Sequence, residues 1–132
     1  MSTDHQISQW KVLIVDDDSD NLGIPEQYLA HYGAEVKTAG NGEEALKALE
    51  GWEPTLILLD LSMPVMDGWE MLKRVRANPA IAAVPVIALT AHAMQEDERH
   101  VLEAGFNGYI AKPFMLPTFI QDIKRCLEHT HR

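Results

Sequence analysis

The sequence predicts an α/β domain: a doubly wound, five-stranded parallel sheet with helices on both faces. Three observations lead there. Short apolar runs alternate with helix-period segments along the 132 residues. The runs Val12-Leu13-Ile14-Val15, Leu56-Ile57-Leu58-Leu59 and Val86-Ile87-Ala88-Leu89 are apolar at every position, as strands covered on both sides require. Each run ends in polar residues, Asp16-Asp17-Asp18, Asp60 and Thr90. In open α/β sheets the carboxyl ends of the strands are where ligands bind.

In chain order, residues 1–9 read as a mobile leader to a domain spanning 10–128, with a tail over 129–132. Lys11–Val15 is the first strand. Ser19 or Asp20 caps a first helix running to about His31, and Gly33 stops it. Pro25 removes an amide donor inside that helix, so a kink or a late start is expected. Glu35–Thr38 has little apolar content and fits an edge strand. Asn41 caps the second helix, with Glu44 at the capping-box position. Ala45, Leu46, Ala48 and Leu49 give that helix its apolar side, and Gly51 and Pro54 end it. After the strand Leu56–Leu59, Asp67 and Glu70 open a third helix carrying Trp69, Leu72, Val75 and Arg76 at helical spacing. Asn78-Pro79 closes it, Ala80–Val84 is a loop, and Pro85–Leu89 is the fourth strand. The fourth helix spans about Met94–Ala104 and stops at Gly105. Phe106–Ile110 leads into and forms the fifth strand. Pro117 sits in the first turn of a final helix striped by Phe119, Ile120, Ile123 and Leu127.

Composition excludes several classes of function. A formal charge of −9 leaves no basic footprint for nucleic acid and argues against anionic membrane surfaces. No apolar run approaches the ~18 residues that span a bilayer, and the polar start lacks a signal core. The sole cysteine, Cys126, allows no internal disulfide and reads as a small apolar residue of the last helix. A cytoplasmic protein is expected. Met63, Met66 and Met71 read as loop and core packing rather than metal ligands. Of the six histidines only His92 lies near the strand-end residues.

If the strands are parallel neighbours, Asp16, Asp17, Asp60, Thr90 and Lys112 converge on one edge of the sheet. Gathered carboxylates repel, by about 4 kcal/mol for a pair ~4 Å apart at an effective dielectric of ~20. Such a group needs a cation or raised pKa values. Donors that are all oxygen point to a hard ion, and Mg²⁺ (or Mn²⁺) suits carboxylates, waters and a phosphoryl oxygen.

The segments VLIVDDD, LILLDLSMPVMDG, VIALTA and GYIAKPF, in this order and spacing, resemble the receiver domain of bacterial two-component response regulators over nearly the whole chain. The likeness is to the chemotaxis-regulator-like, stand-alone type. It implies the flavodoxin-like strand order 2-1-3-4-5. It implies a phosphoacceptor at Asp60, with Thr90 and Lys112 assisting, and a metal held by Asp16, Asp17, Asp60 and the backbone carbonyl of Ser62. Asp16 would act mainly through water, and Asp18 has no family counterpart at the site. Thr90 and Tyr109 would be the switch pair, and Lys112-Pro113 a candidate cis bond.

The resemblance also implies partners: a sensor histidine kinase or histidine phosphotransfer protein as donor, and a downstream protein at the face of helix four, strand five and helix five. Homodimerisation through that face is open. The chain is expected to assist only its own phosphorylation and dephosphorylation, not to act as an enzyme on other substrates. The alternative is a phosphorylation-independent interaction module on the same fold. A phosphohydrolase resembling the haloacid dehalogenase group is disfavoured, because Ser62 stands where those enzymes need a second Asp. No GxxxxGK[ST] loop for nucleotide phosphates occurs.

Overall fold

The computed structural model describes residues 7–17, 19–61, 68–90, 95–111 and 116–130. Strand and helix alternate throughout: β1 (Lys11–Val15), α1 (Ser19–His31), β2 (Glu35–Ala39), α2 (Gly42–Ala48), β3 (Leu56–Asp60), α3 (Gly68–Ala77), β4 (Val86–Thr90), α4 (Gln95–Ala104), β5 (Gly108–Ala111) and α5 (Leu116–Thr130). The strands form one sheet in the order β2-β1-β3-β4-β5. Every pairing is parallel. The doubly wound class and the order 2-1-3-4-5 are therefore as expected. From β1 the chain winds outward to β2, then crosses back to β3 on the other side. The crevice between the ends of β1 and β3 is the topological switch point of such a sheet.

The pleat explains the uninterrupted apolar runs. Leu13, Val15, Ile57, Leu59, Val86 and Ala88 face one side, against Ala45 of α2, Met71 and Val75 of α3 and Val101 of α4. Val12, Ile14, Leu56, Leu58, Ile87 and Leu89 face the other, against Leu29 of α1 and Phe119 and Ile123 of α5. Each such side chain, fully buried, stabilises the fold by about 1.5–3 kcal/mol. A polar residue at any of these positions would forfeit that on whichever face it lay. β2, at the edge, is largely exposed until Ala39. Among the described residues no helix is long and apolar enough to cross a membrane.

Local signals hold with some corrections. Asn41 caps α2, its Oδ1 accepting from the Glu44 N–H at 2.9 Å. Glu44 returns to the N–H of Gly40 (3.1 Å), one residue before the position a capping box uses. Gly33 and Gly105 end their helices with φ of 96° and 111°, and Gly51 (φ 71°) follows Leu49, the C-cap of α2, by two residues. Pro25 lies inside α1, yet the helix begins at Ser19, so the late start does not occur. Burial of the Pro25 ring offsets part of its lost amide bond.

Ile7 and Trp10 are buried, and the Trp10 N–H donates to the Ile7 carbonyl at 3.0 Å. Both side chains belong to the core cluster that holds Leu29 of α1 and Phe119 and Ile123 of α5. At the other end α5 runs to Thr130.

Candidate metal centre

The acidic edge is built by register. Val15 of β1 lies opposite Leu59 of β3, so the next residues, Asp16 and Asp60, emerge side by side. The Asp16 N–H still donates to the Ala39 carbonyl of β2 (3.1 Å), which holds it in the ladder beyond the strand's last residue. Likewise the Leu61 N–H donates to the Leu89 carbonyl (3.1 Å) and fixes the backbone just past Asp60. Asp16 and Asp60 are 1% and 5% exposed, whereas Asp17 faces solvent. One carboxylate oxygen from each of Asp16, Asp17 and Asp60 lies within 4.8 Å of the others.

Carboxylates at such separations repel, and burial of two of them limits what water can screen. A divalent cation relieves that repulsion. The donor set is oxygen only, which selects a hard ion over a thiophilic one. One face of the group opens to solvent through Asp17, as suits an ion such as Mg²⁺ that keeps part of its water shell. The residues present fit a resident divalent ion.

Gly68 supplies a feature that the sequence pattern did not reveal. It is the first residue of α3, and its N–H donates to the Leu61 carbonyl at 3.2 Å. A Cβ there would stand 2.6 Å from the Asp60 carbonyl oxygen and 2.9 Å from Leu61 Cα. Only glycine lets α3 rest directly on the backbone that carries Asp60. The glycine after Asp67 was the available signal, but its meaning depends on which backbone it meets.

Thr90 is the last residue of β4 and only 6% exposed. Because Asp60 pairs with Leu89, Thr90 stands one residue further on the neighbouring strand, at the same edge. Tyr109 pairs with Ala88 and Thr90 with Ala111, so Thr90 and Tyr109 share the sheet face covered by α4. Tyr109 is half-buried against the core on that side. The structure thus brings Asp16, Asp17, Asp60 and Thr90 to one edge and sets Tyr109 behind Thr90. Ser62, Lys112, the Lys112-Pro113 bond, Asp18, Asp67 and His92 lie outside the described residues.

A parallel sheet in this order, with a triad of carboxylates at its switch point, defines an α/β domain with an acidic pocket at the strand ends. More narrowly, the chain belongs to the response regulator receiver domain family, whose model matches residues 12–124. An uncharacterised 14.6 kDa protein of Leptolyngbya boryana is 44% identical over 107 residues, covering 81% of this chain and 82% of that protein. The chemotaxis response regulator CheY4 of Vibrio cholerae superposes with a TM-score of 0.83 at 32% identity, covering 89% of this chain and 98% of the other. The receiver domain of sensor histidine kinase PA1611 of Pseudomonas aeruginosa, solved with a magnesium ion coordinated in its active-site cleft, gives 0.79 at 34% identity over 90% and 98% of the two chains. Against several longer curated relatives the chain spans only 27% to 52% of their length.

Proposed function

We propose that this receiver domain is loaded at Asp60 by a phosphohistidine, on a sensor histidine kinase or a histidine phosphotransfer protein, in the cytoplasm. The observation that carries the reading is the close grouping of Asp16 and Asp17 around the buried Asp60. An Asp60 carboxylate oxygen attacks the phosphorus in line, the N–P bond of the donor breaks, and the imidazole leaves with its electron pair. The product is an aspartyl-phosphate. Phosphoryl transfer asks the protein mainly for positioning and charge neutralisation. Asp16, Asp17, Asp60 and the Ser62 carbonyl would hold Mg²⁺ (or Mn²⁺), which supplies positive charge against the phosphoryl oxygens.

Lys112 pairs with the phosphoryl group, and the Thr90 hydroxyl donates to one of its oxygens. The group brings about −1.5 to −2 charges to the edge. Thr90, drawn toward it, vacates space on the α4 side of the sheet, and Tyr109 turns into that space. The face of α4, β5 and α5 then changes for a downstream protein or a second copy of the chain. Reversing a 1:99 population takes about 5.5 kcal/mol of differential stabilisation, within reach of several charge-assisted hydrogen bonds. The chain catalyses only its own loading and unloading.

Acetyl phosphate with Mg²⁺ tests the reading. One phosphoryl group should be taken up, none after chelation of the metal, and none in Asp60→Asn. Uptake that survives that substitution would refute the assignment.

A further inference from the structure

Arg76, near the end of α3, does far more than extend a helical stripe. Its guanidinium donates to four acceptors on two separate segments. Nη1 reaches the carbonyls of Ala82 (3.1 Å) and Val84 (2.6 Å), just before β4. Nη2 reaches the carbonyl of Gly105 (3.0 Å) and Oδ1 of Asn107 (2.9 Å), between α4 and β5. Asn107 completes the tie. Its Oδ1 also accepts from the Val86 N–H (2.8 Å), and its own N–H donates to the Val86 carbonyl (2.8 Å). One half-buried cation therefore binds the end of α3 to the start of β4, the end of α4 and the start of β5. Desolvation lowers the Arg76 pKa, but a guanidinium stays charged in proteins. Charge-assisted bonds in a planar fork are the strong kind and fix geometry as well as energy.

The other end of the same helix is Gly68, seated on the Asp60–Leu61 backbone. We infer that Arg76 is a positioning residue for the signalling face: it pins the feet of α4 and β5 to α3, so that loading at Asp60 moves α4 and β5 as one anchored unit. This rests on the phosphoacceptor reading above. With the pin in place, displacement at the acidic edge is resisted at the opposite edge and appears as a defined tilt. Without it, the α4–β5 junction loosens and the response is dissipated. Trp69 is a built-in reporter, because its ring sits edge-on to Phe106 at 5.5 Å, between the two Arg76 acceptors Gly105 and Asn107 in sequence.

The test compares the wild-type chain, Arg76→Met, Arg76→Lys and Asn107→Ala, with two readouts. Without any ligand, amide exchange at Val86 and Asn107 should be roughly tenfold or more faster in Arg76→Met and intermediate in Arg76→Lys. Second, ¹⁹F NMR of 5-fluorotryptophan protein should show a shift of the Trp69 resonance when wild type is loaded with Mg²⁺ and beryllofluoride. In Arg76→Met the ligand should still load with affinity within about threefold, while the Trp69 shift falls to under about half. A merely structural arginine would lower the melting temperature and leave the loading-dependent shift whole. That result, or unchanged amide exchange, overturns the proposal. If Arg76→Met does not fold, Arg76→Lys and Asn107→Ala decide by the same criteria. Failure of the wild type to load would refute the phosphoacceptor reading instead, and the ligand-free exchange would still judge the pin.

Discussion

Gly68→Ala is the sharpest perturbation that the fold offers. The added methyl would meet the Asp60 carbonyl oxygen at 2.6 Å, Leu61 Cα at 2.9 Å and Leu61 Cδ2 at 3.2 Å, against an ordinary contact of 3.4–4 Å. The first overlap is 3.4 − 2.6, about 0.8 Å, and two of the three neighbours are backbone that cannot rotate away. Either α3 lifts or the end of β3 shifts. Overpacking of this kind costs typically ~1–3 kcal/mol, more than the ~1 kcal/mol by which alanine favours a helix. A misplacement near 1 Å can cost ~100-fold in a positioned reaction, so loading of Asp60 from acetyl phosphate should slow by about 10- to 100-fold. Gly23→Ala is the matched control. It lies inside α1 with nothing within 4 Å of its Cβ position. The same chemical change there should stabilise by about 0.5–1 kcal/mol and leave loading untouched. Single-turnover loading and urea unfolding of the two variants give the answer. Wild-type loading and stability in Gly68→Ala would show that α3 does not set the Asp60 backbone.

Other consequences are smaller or more local. Mg²⁺ at ~100 times its dissociation constant should stabilise the fold by about 2.7 kcal/mol, read as a rise in melting temperature, and Asp17→Asn should abolish most of that rise. Asn41→Ala should cost ~1 kcal/mol in urea unfolding through loss of the α2 cap, with no effect on loading. Burial first, and then Asp122, push the Cys126 thiol up to about 11 from 9.0. The folded state then binds a proton that the unfolded chain has released. This contribution to stability is whole below pH ~9 and is lost as pH rises toward ~11. Cys126→Ala should flatten that part of the stability profile, and alkylation of native Cys126 at pH 7 should be slow next to the unfolded chain.

Much of the fold and its acidic edge could be read in the chain because the relevant signals are local. Val12 to Val15, Leu56 to Leu59 and Val86 to Leu89 are apolar on both pleat faces, and each is followed at once by the polar residues of the edge. Strand order was different: periodicity is silent on it, and only the resemblance supplied 2-1-3-4-5. What escaped is non-local. Ile7 and Trp10 show no period, and they are buried in a cluster with Leu29 of α1 and Phe119 and Ile123 of α5, far along the chain. Arg76 fits helical spacing, but its acceptors at Gly105 and Asn107 lie far along the chain. Gly68 has no side chain from which to read a role. Its role is the closeness of two backbones, which no single segment encodes.

The central claim is that the edge residue Asp60 receives the phosphoryl group. Borohydride reduction of the loaded protein, followed by peptide mass mapping, measures this directly by converting an aspartyl-phosphate to homoserine. Homoserine at position 60 alone, dependent on Mg²⁺ and phosphodonor, is the predicted result. Homoserine at another aspartate, or none in protein that has taken up phosphate, would contradict the account.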